Sequence, residues 1–165
     1  MKIELYAKLK QVKIFLFDLD GVLFNEGVNE QIFLHSIEAA SNEFKNQNLI
    51  FGIITARIED DLVCKLKNIA GCLIFPSSLD KVSKTAEFLN TQRVDFKNVF
   101  YMGDDLLDIP LLKKCGVSAA PSNSRREVKR IVNFTIRAND CGEIFSEIFA
   151  LYKKSKEMVS RATKY

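Results

Sequence analysis

This 165-residue chain carries a single histidine, His35, and four cysteines, Cys64, Cys72, Cys115 and Cys141, with no Cys-x-x-Cys pair among them. That scarcity argues against the usual Cys/His zinc site and leaves a Ser-His-Asp or Cys-His hydrolase resting on His35 alone. His35 falls among Phe33, Leu34 and Ile37 at helical spacing, which gives it a structural role. The scattered cysteines read as reduced, mostly buried small hydrophobes. No apolar run reaches the roughly 18 residues of a membrane span, so no membrane partner is expected. Met1-Lys2-Ile3-Glu4-Leu5-Tyr6 lacks the apolar core of a signal peptide, which makes the cytoplasm the expected location. No Gly-x-x-x-x-Gly-Lys-Ser/Thr loop and no Gly-x-Gly-x-x-Gly turn is present, so a nucleotide-type phosphate cradle is not supported. The formal charge of +3 is mild, and no nucleic-acid partner is expected from it. Two basic clusters, Arg125, Arg126, Lys129 and Arg130, then Lys153, Lys154, Lys156, Arg161 and Lys164, read either as solvated faces or as attraction for an anionic substrate.

What is present is an alternation. Buried-type apolar runs cover Val12–Phe17, Leu49–Thr55, Cys72–Phe75, Val99–Met102, Val117–Ala119 and Asn133–Ile136. Helical patterns stand at 1–11, about 29–45, 59–69, 81–91, up to Lys114, near 124–131, and about 143–156. Strands alternating with helices predict an α/β fold, a central parallel sheet in a three-layer, Rossmann-like arrangement. Length and short connections predict one domain over 1–165, with a core at about 12–150 and a mobile tail at 157–165.

The chemistry-bearing residues fall at strand ends. The first strand runs into Asp18-Leu19-Asp20-Gly21, the second into Thr55-Ala56-Arg57, and the fourth into Gly103-Asp104-Asp105-Leu106-Leu107-Asp108. Lys81 opens a helix on the same rim. In an open α/β sheet these carboxyl ends are where ligands bind. Carboxylates from two strands, without histidine or thiol, make an oxygen-donor site that suits Mg²⁺. A lysine and a hydroxyl beside them complete a phosphate pocket. Arg57 either meets substrate or pairs with Glu59 or Asp60.

These four stretches, in this order, resemble the motifs of the haloacid-dehalogenase-like hydrolases, across roughly Val12 to Ile148. Asp20-Gly21-Val22-Leu23, Ile53-Ile54-Thr55-Ala56-Arg57 and Tyr101 to Pro110 are most similar to the sugar-acid phosphatase family typified by 3-deoxy-D-manno-octulosonate 8-phosphate phosphatase. The C-terminal domain of some acylneuraminate cytidylyltransferases has the same look.

The resemblance implies a Mg²⁺-dependent phosphatase acting on a small phosphorylated metabolite, such as a phospho-sugar acid. In it Asp18 is the nucleophile that becomes an aspartyl-phosphate, and Asp20 is the acid and then the base. Mg²⁺ is held by Asp18, the Asp20 backbone carbonyl and Asp104, with Asp105 and Asp108 behind them. Lys81 steadies Asp18 and the transferring group, Thr55 donates to a phosphoryl oxygen, and Arg57 contacts substrate. Spacing selects Lys81 over Lys84. Other activities compatible with the resemblance are a phosphotransferase, a broad-specificity phosphatase and a catalytically weak partner domain.

The segments 27–48 and 58–80 are too short for a cap domain. The β-hairpin that builds a tetramer in the sugar-acid phosphatases is shortened or missing here, since Glu26-Gly27-Val28-Asn29-Glu30 has little strand character. Phe24 stands where a threonine is common, and the glycine-rich loop before the last helix is reduced to Cys141-Gly142. A homo-oligomer remains expected, with an open site unless another subunit covers it.

Overall fold

The computed structural model of the chain describes residues 2–162, with side chains from 3 to 158. Six strands, β1 (Ile14–Phe17), β2 (Ile50–Ile54), β3 (Cys72–Phe75), β4 (Val99–Met102), β5 (Val117–Pro121) and β6 (Phe134–Ile136), form one sheet in the order β3-β2-β1-β4-β5-β6. Every pairing is parallel. β1 lies between β2 and β4, with Phe15 registered against Phe51 and Phe100.

The reason is visible in β1, whose four residues Ile-Phe-Leu-Phe are all buried. Strand periodicity sends Phe15 and Phe17 to one face and Ile14 and Leu16 to the other, so the strand is stable only when both faces are covered. Helices α1 (Lys2–Gln11), α2 (Glu30–Asn46), α3 (Asp61–Lys67) and α7 (Cys141–Ala162) bear the first cluster's residues from Tyr6 to Tyr152. Phe15, Phe17, Phe44, Phe51, Phe100 and Phe145 pack there as a chain of tilted and edge-on rings, Phe44 and Phe51 being stacked at 5.0 Å. Helices α4 (Lys81–Gln92), α5 (Ile109–Lys114) and α6 (Arg126–Lys129) cover the opposite face around Ile14, Leu16, Ile54, Leu89, Val99 and Tyr101.

Between β1 and α2 the described residues hold only turns and an isolated bridge between Asp20 and Phe24. No strand pair forms, so the hairpin expected to be shortened or missing is absent there. Between β2 and α4 the chain makes α3 and β3 and leaves no inserted cap.

Three expectations are corrected. His35, expected in a structural role beside Phe33, Leu34 and Ile37, is exposed on α2, where Phe33, Ile37, Ala40 and Phe44 supply the buried stripe. The last helix reaches Ala162, so 157–162 of the expected tail are helical; 163–165 lie outside the described residues. The basic helix is a single turn, Arg126–Lys129. Among the described residues no helix is long and apolar enough to cross a membrane.

Candidate active site

At the carboxyl rim of the sheet, Asp18, Asp20, Thr55, Arg57, Lys81, Asp104, Asp105 and Asp108 line a cavity of about 180 Å³. Asp18 follows β1 directly; its backbone N–H donates to the Met102 carbonyl at 2.9 Å, which extends the β1–β4 pairing by one residue. The Leu19 N–H donates to Asp18 Oδ1 at 2.8 Å.

The centre of the cluster is Asp108, which is fully buried. Its Oδ1 accepts from Lys81 Nζ at 2.6 Å and from the Tyr101 hydroxyl at 2.5 Å. Its Oδ2 accepts from the backbone N–H groups of Asp104 and Asp105 at 2.9 and 3.1 Å. With both oxygens occupied, this carboxylate holds the β4 loop and the lysine in place, as a buried charge must be held to be tolerated. The approach needs a bare backbone: a Cβ at Gly103 would lie 2.5 Å from Asp108 Cγ.

Lys81 is 3 % exposed, although it stands in the first turn of α4. Its ammonium reaches Asp18 Oδ1 at 2.9 Å, Asp108 and the Tyr101 oxygen at 3.1 Å. Asp80 caps the helix by accepting the Ser83 N–H at 3.0 Å, which fixes where Lys81 enters. Lys84, the rival, lies on the outside and pairs with Glu87.

The opposite wall is Thr55 and Arg57. Buried Thr55 accepts the Arg57 N–H on its hydroxyl oxygen at 3.0 Å, leaving the hydroxyl proton to donate. Arg57 is shared: Nη1 meets Asp20 Oδ1 at 2.7 Å and Nε meets Asp60 Oδ2 at 2.6 Å. The two acids, Asp60 foremost, hold its guanidinium pKa above the ordinary value. Asp105 turns outward, pairing with Arg125 Nε at 2.7 Å and accepting the Leu106 N–H.

Asp18, Asp104 and Asp108 each place a carboxylate oxygen within 4.8 Å of the others. Burial first, and then repulsion from Asp108, pushes Asp18 up to about 7, while Lys81 pulls the other way. Burial, Asp108 and Asp105 push Asp104 up to about 6. Three acids around one ammonium leave the cluster short of positive charge. Because Asp108 is saturated by its own donors, the oxygens free to take a cation are those of Asp18 and Asp104. A hard divalent cation such as Mg²⁺ fits that oxygen-only donor set. Gly21, at φ +86°, lies so close to Asp104 that a Cβ there would sit 2.2 Å from Oδ2.

All eight residues singled out from sequence meet here, with Asp105 at the rim. The sequence reading missed the role of Tyr101, although one hydroxyl in an otherwise apolar central strand demands a buried partner. It left Arg57 undecided between substrate and a neighbouring acid; the fold adds Asp20 as a second ion-pair partner. Arg125, assigned only to a basic cluster, comes back to Asp105 by the fold alone.

The family model for haloacid dehalogenase-like hydrolases matches residues 66–148, a stretch that holds Lys81, Asp104, Asp105 and Asp108. Among solved structures, a hypothetical protein from Xanthomonas campestris is similar at TM-score 0.77 and 20% identity, over 96% of this chain and 92% of that one. A 3-deoxy-D-manno-octulosonate 8-phosphate phosphatase from Yersinia pestis is similar at TM-score 0.77 and 19% identity, over 93% and 87%. The Moraxella catarrhalis phosphatase of that name, in complex with magnesium ion, phosphate ion and KDO, is similar at TM-score 0.73 and 18% identity, over 96% and 97%.

Proposed function

The chain belongs to the haloacid dehalogenase-like hydrolases, and from that premise we propose that it is a Mg²⁺-dependent phosphatase for a small phosphorylated sugar acid. The observation that carries this reading is the meeting of Asp18 and Asp104 against Lys81, with a second acid, Asp20, on the same loop. An acid two residues beyond the nucleophile serves ester hydrolysis, where the leaving oxygen needs a proton.

In this reading an Asp18 oxygen attacks phosphorus in line and the bond to the leaving oxygen breaks, while Asp20 gives that oxygen its proton. Water, deprotonated by Asp20, then attacks the aspartyl-phosphate and releases phosphate and free Asp18. Thr55 donates its hydroxyl proton to a phosphoryl oxygen, and Lys81 holds Asp18 aimed at the reacting group. Mg²⁺ held by Asp18, Asp104 and the Asp20 carbonyl supplies charge neutralisation between carboxylate and phosphate. Arg57 holds the Asp20 side chain at the mouth of the cavity.

The substrate class is supported by the likeness to two 3-deoxy-D-manno-octulosonate 8-phosphate phosphatases. The four free thiols support a cytoplasmic setting. Ile58, Leu79, Leu106 and Leu107 stand exposed on three loops after β2, β3 and β4. Covering that side of an open site supports self-association; size measurement in solution showing a strict monomer would remove it.

Purified protein should release phosphate from phosphorylated sugar acids only with Mg²⁺, and Asp18→Asn should lower turnover by about a thousandfold or more. Wild-type turnover no higher than that of the variant across the panel refutes the enzyme reading.

A further inference from the structure

A second cavity, of about 200 Å³, opens on the same rim, on the far side of the turn that carries Asp20. Its walls come from the loops after β1, β5 and β6, and Gly21, whose other side presses on Asp104, forms the partition between the two cavities. We infer that this cavity receives the carboxylate-bearing end of the phosphorylated substrate, with Arg137 selecting an acid over a neutral sugar.

The cations on the rim divide clearly. Lys81 is held by Asp18 and Asp108, Arg57 by Asp20 and Asp60, and Arg125 by Asp105. Arg137 is exposed at the second cavity, which it lines, and its side chain forms no hydrogen bond or ion pair among the described residues. An arginine offers a fork of donors that matches a carboxylate, so an uncommitted one in a cavity beside a phosphoryl site is a receptor for a second anionic group.

The acids nearby do not fill that role. Asp140 accepts the Glu143 N–H at 2.9 Å, and so sits at the start of α7, where the helix end offsets its charge. Glu143 is occupied by the Asn139 N–H at 2.8 Å and by the Asn139 side-chain amide. The side chains of Asn25, Ser122 and Asn123 line the same cavity without protein partners among the described residues. Neutral donors and acceptors of this kind suit the hydroxyls of a sugar chain. The pocket is therefore complementary to a polyhydroxylated acid, and the alternative leaving groups, aromatic or long alkyl, find little apolar wall.

This inference rests on the phosphatase reading, and its test separates the two. Hydrolysis of 6-phosphogluconate and of sorbitol 6-phosphate, which share a carbon chain and differ in the carboxylate, is compared in wild type, Arg137→Ala, Arg137→Lys and Arg137→Glu. Wild type should prefer the acid. Arg137→Ala should lose about tenfold more kcat/KM on the acid than on the neutral ester, chiefly through KM. Arg137→Lys should recover part of the preference and Arg137→Glu reverse it. Equal handling of the two esters by wild type, or equal losses in Arg137→Ala, overturns the assignment of Arg137, while Mg²⁺-dependent cleavage of p-nitrophenyl phosphate that Asp18→Asn abolishes would leave the phosphatase reading standing. No cleavage of any of the three esters sinks both.

Discussion

Oδ1 of Asp108 serves Lys81 and Tyr101 together, so these three side chains act as one unit beneath Asp18. Tyr101→Phe removes one donor and leaves the ion pair, and should cost about 1 kcal/mol in denaturant unfolding. Asp108→Ala leaves the buried ammonium with Asp18 as its one carboxylate and unties two backbone donors; a loss of about 1–3 kcal/mol is expected by the same measurement. Asp20 should separate the two chemical steps. With p-nitrophenyl phosphate, whose leaving group needs little help, Asp20→Asn should still give a burst of nitrophenolate and then stall, because water attack has lost its base; a steady slow rate without a burst contradicts the assigned role. Asp18 and Asp104 make the metal-free protein pH-dependent. Their carboxyls, raised to about 7 and about 6, bind protons more tightly folded than unfolded, so their contribution favours the fold at low pH and is lost as pH climbs through those values. A divalent cation held by these oxygens would compete with the protons, so the rise in Tm on adding Mg²⁺ should be larger near pH 8 than near pH 5. Asp104→Asn should raise the metal-free Tm near pH 8 and abolish most of the Mg²⁺ effect.

At the scale of elements, the site depends on how three segments end. α4 is the sensitive one, since its cap Asp80 adjoins Lys81. Asp80→Ala should cost about 1 kcal/mol of stability and reduce kcat as well, because the frayed turn is the one that carries the ammonium. Residues at strand ends were readable from sequence for a physical reason: an apolar strand that gives way to a polar side chain leaves that group at the rim, whatever the rest of the chain does. Asp18, Thr55 and Asp104 followed that rule. The irregular turn at Leu106–Asp108, which swings Asp108 back under the loop, has no periodic pattern to announce it. α6 was read longer than its one turn because its basic residues match a helix template without a buried stripe to confirm it, Val128 being its one buried residue.

For the whole molecule, the fold class was legible because six apolar runs alternate with helices, and strands buried on both faces belong to parallel sheets. Their spatial order was not, since each run could pair with several others on hydrophobicity alone. Nor was the second cavity, which needs β5 and β6 laid beside the first loop before Arg137 has anything to face. Placing β1 between β2 and β4 also sets the timing of biogenesis. The neighbour that completes β1 is made much later along the chain, so a nascent protein emerging from the ribosome carries an open apolar strand edge until Val99–Met102 has followed it. Hydrolytic competence is then acquired late and all at once, when β4 docks. Released fragments that end before β4 should be inert and prone to aggregate, and recovery of Mg²⁺-dependent turnover during refolding should track that single pairing.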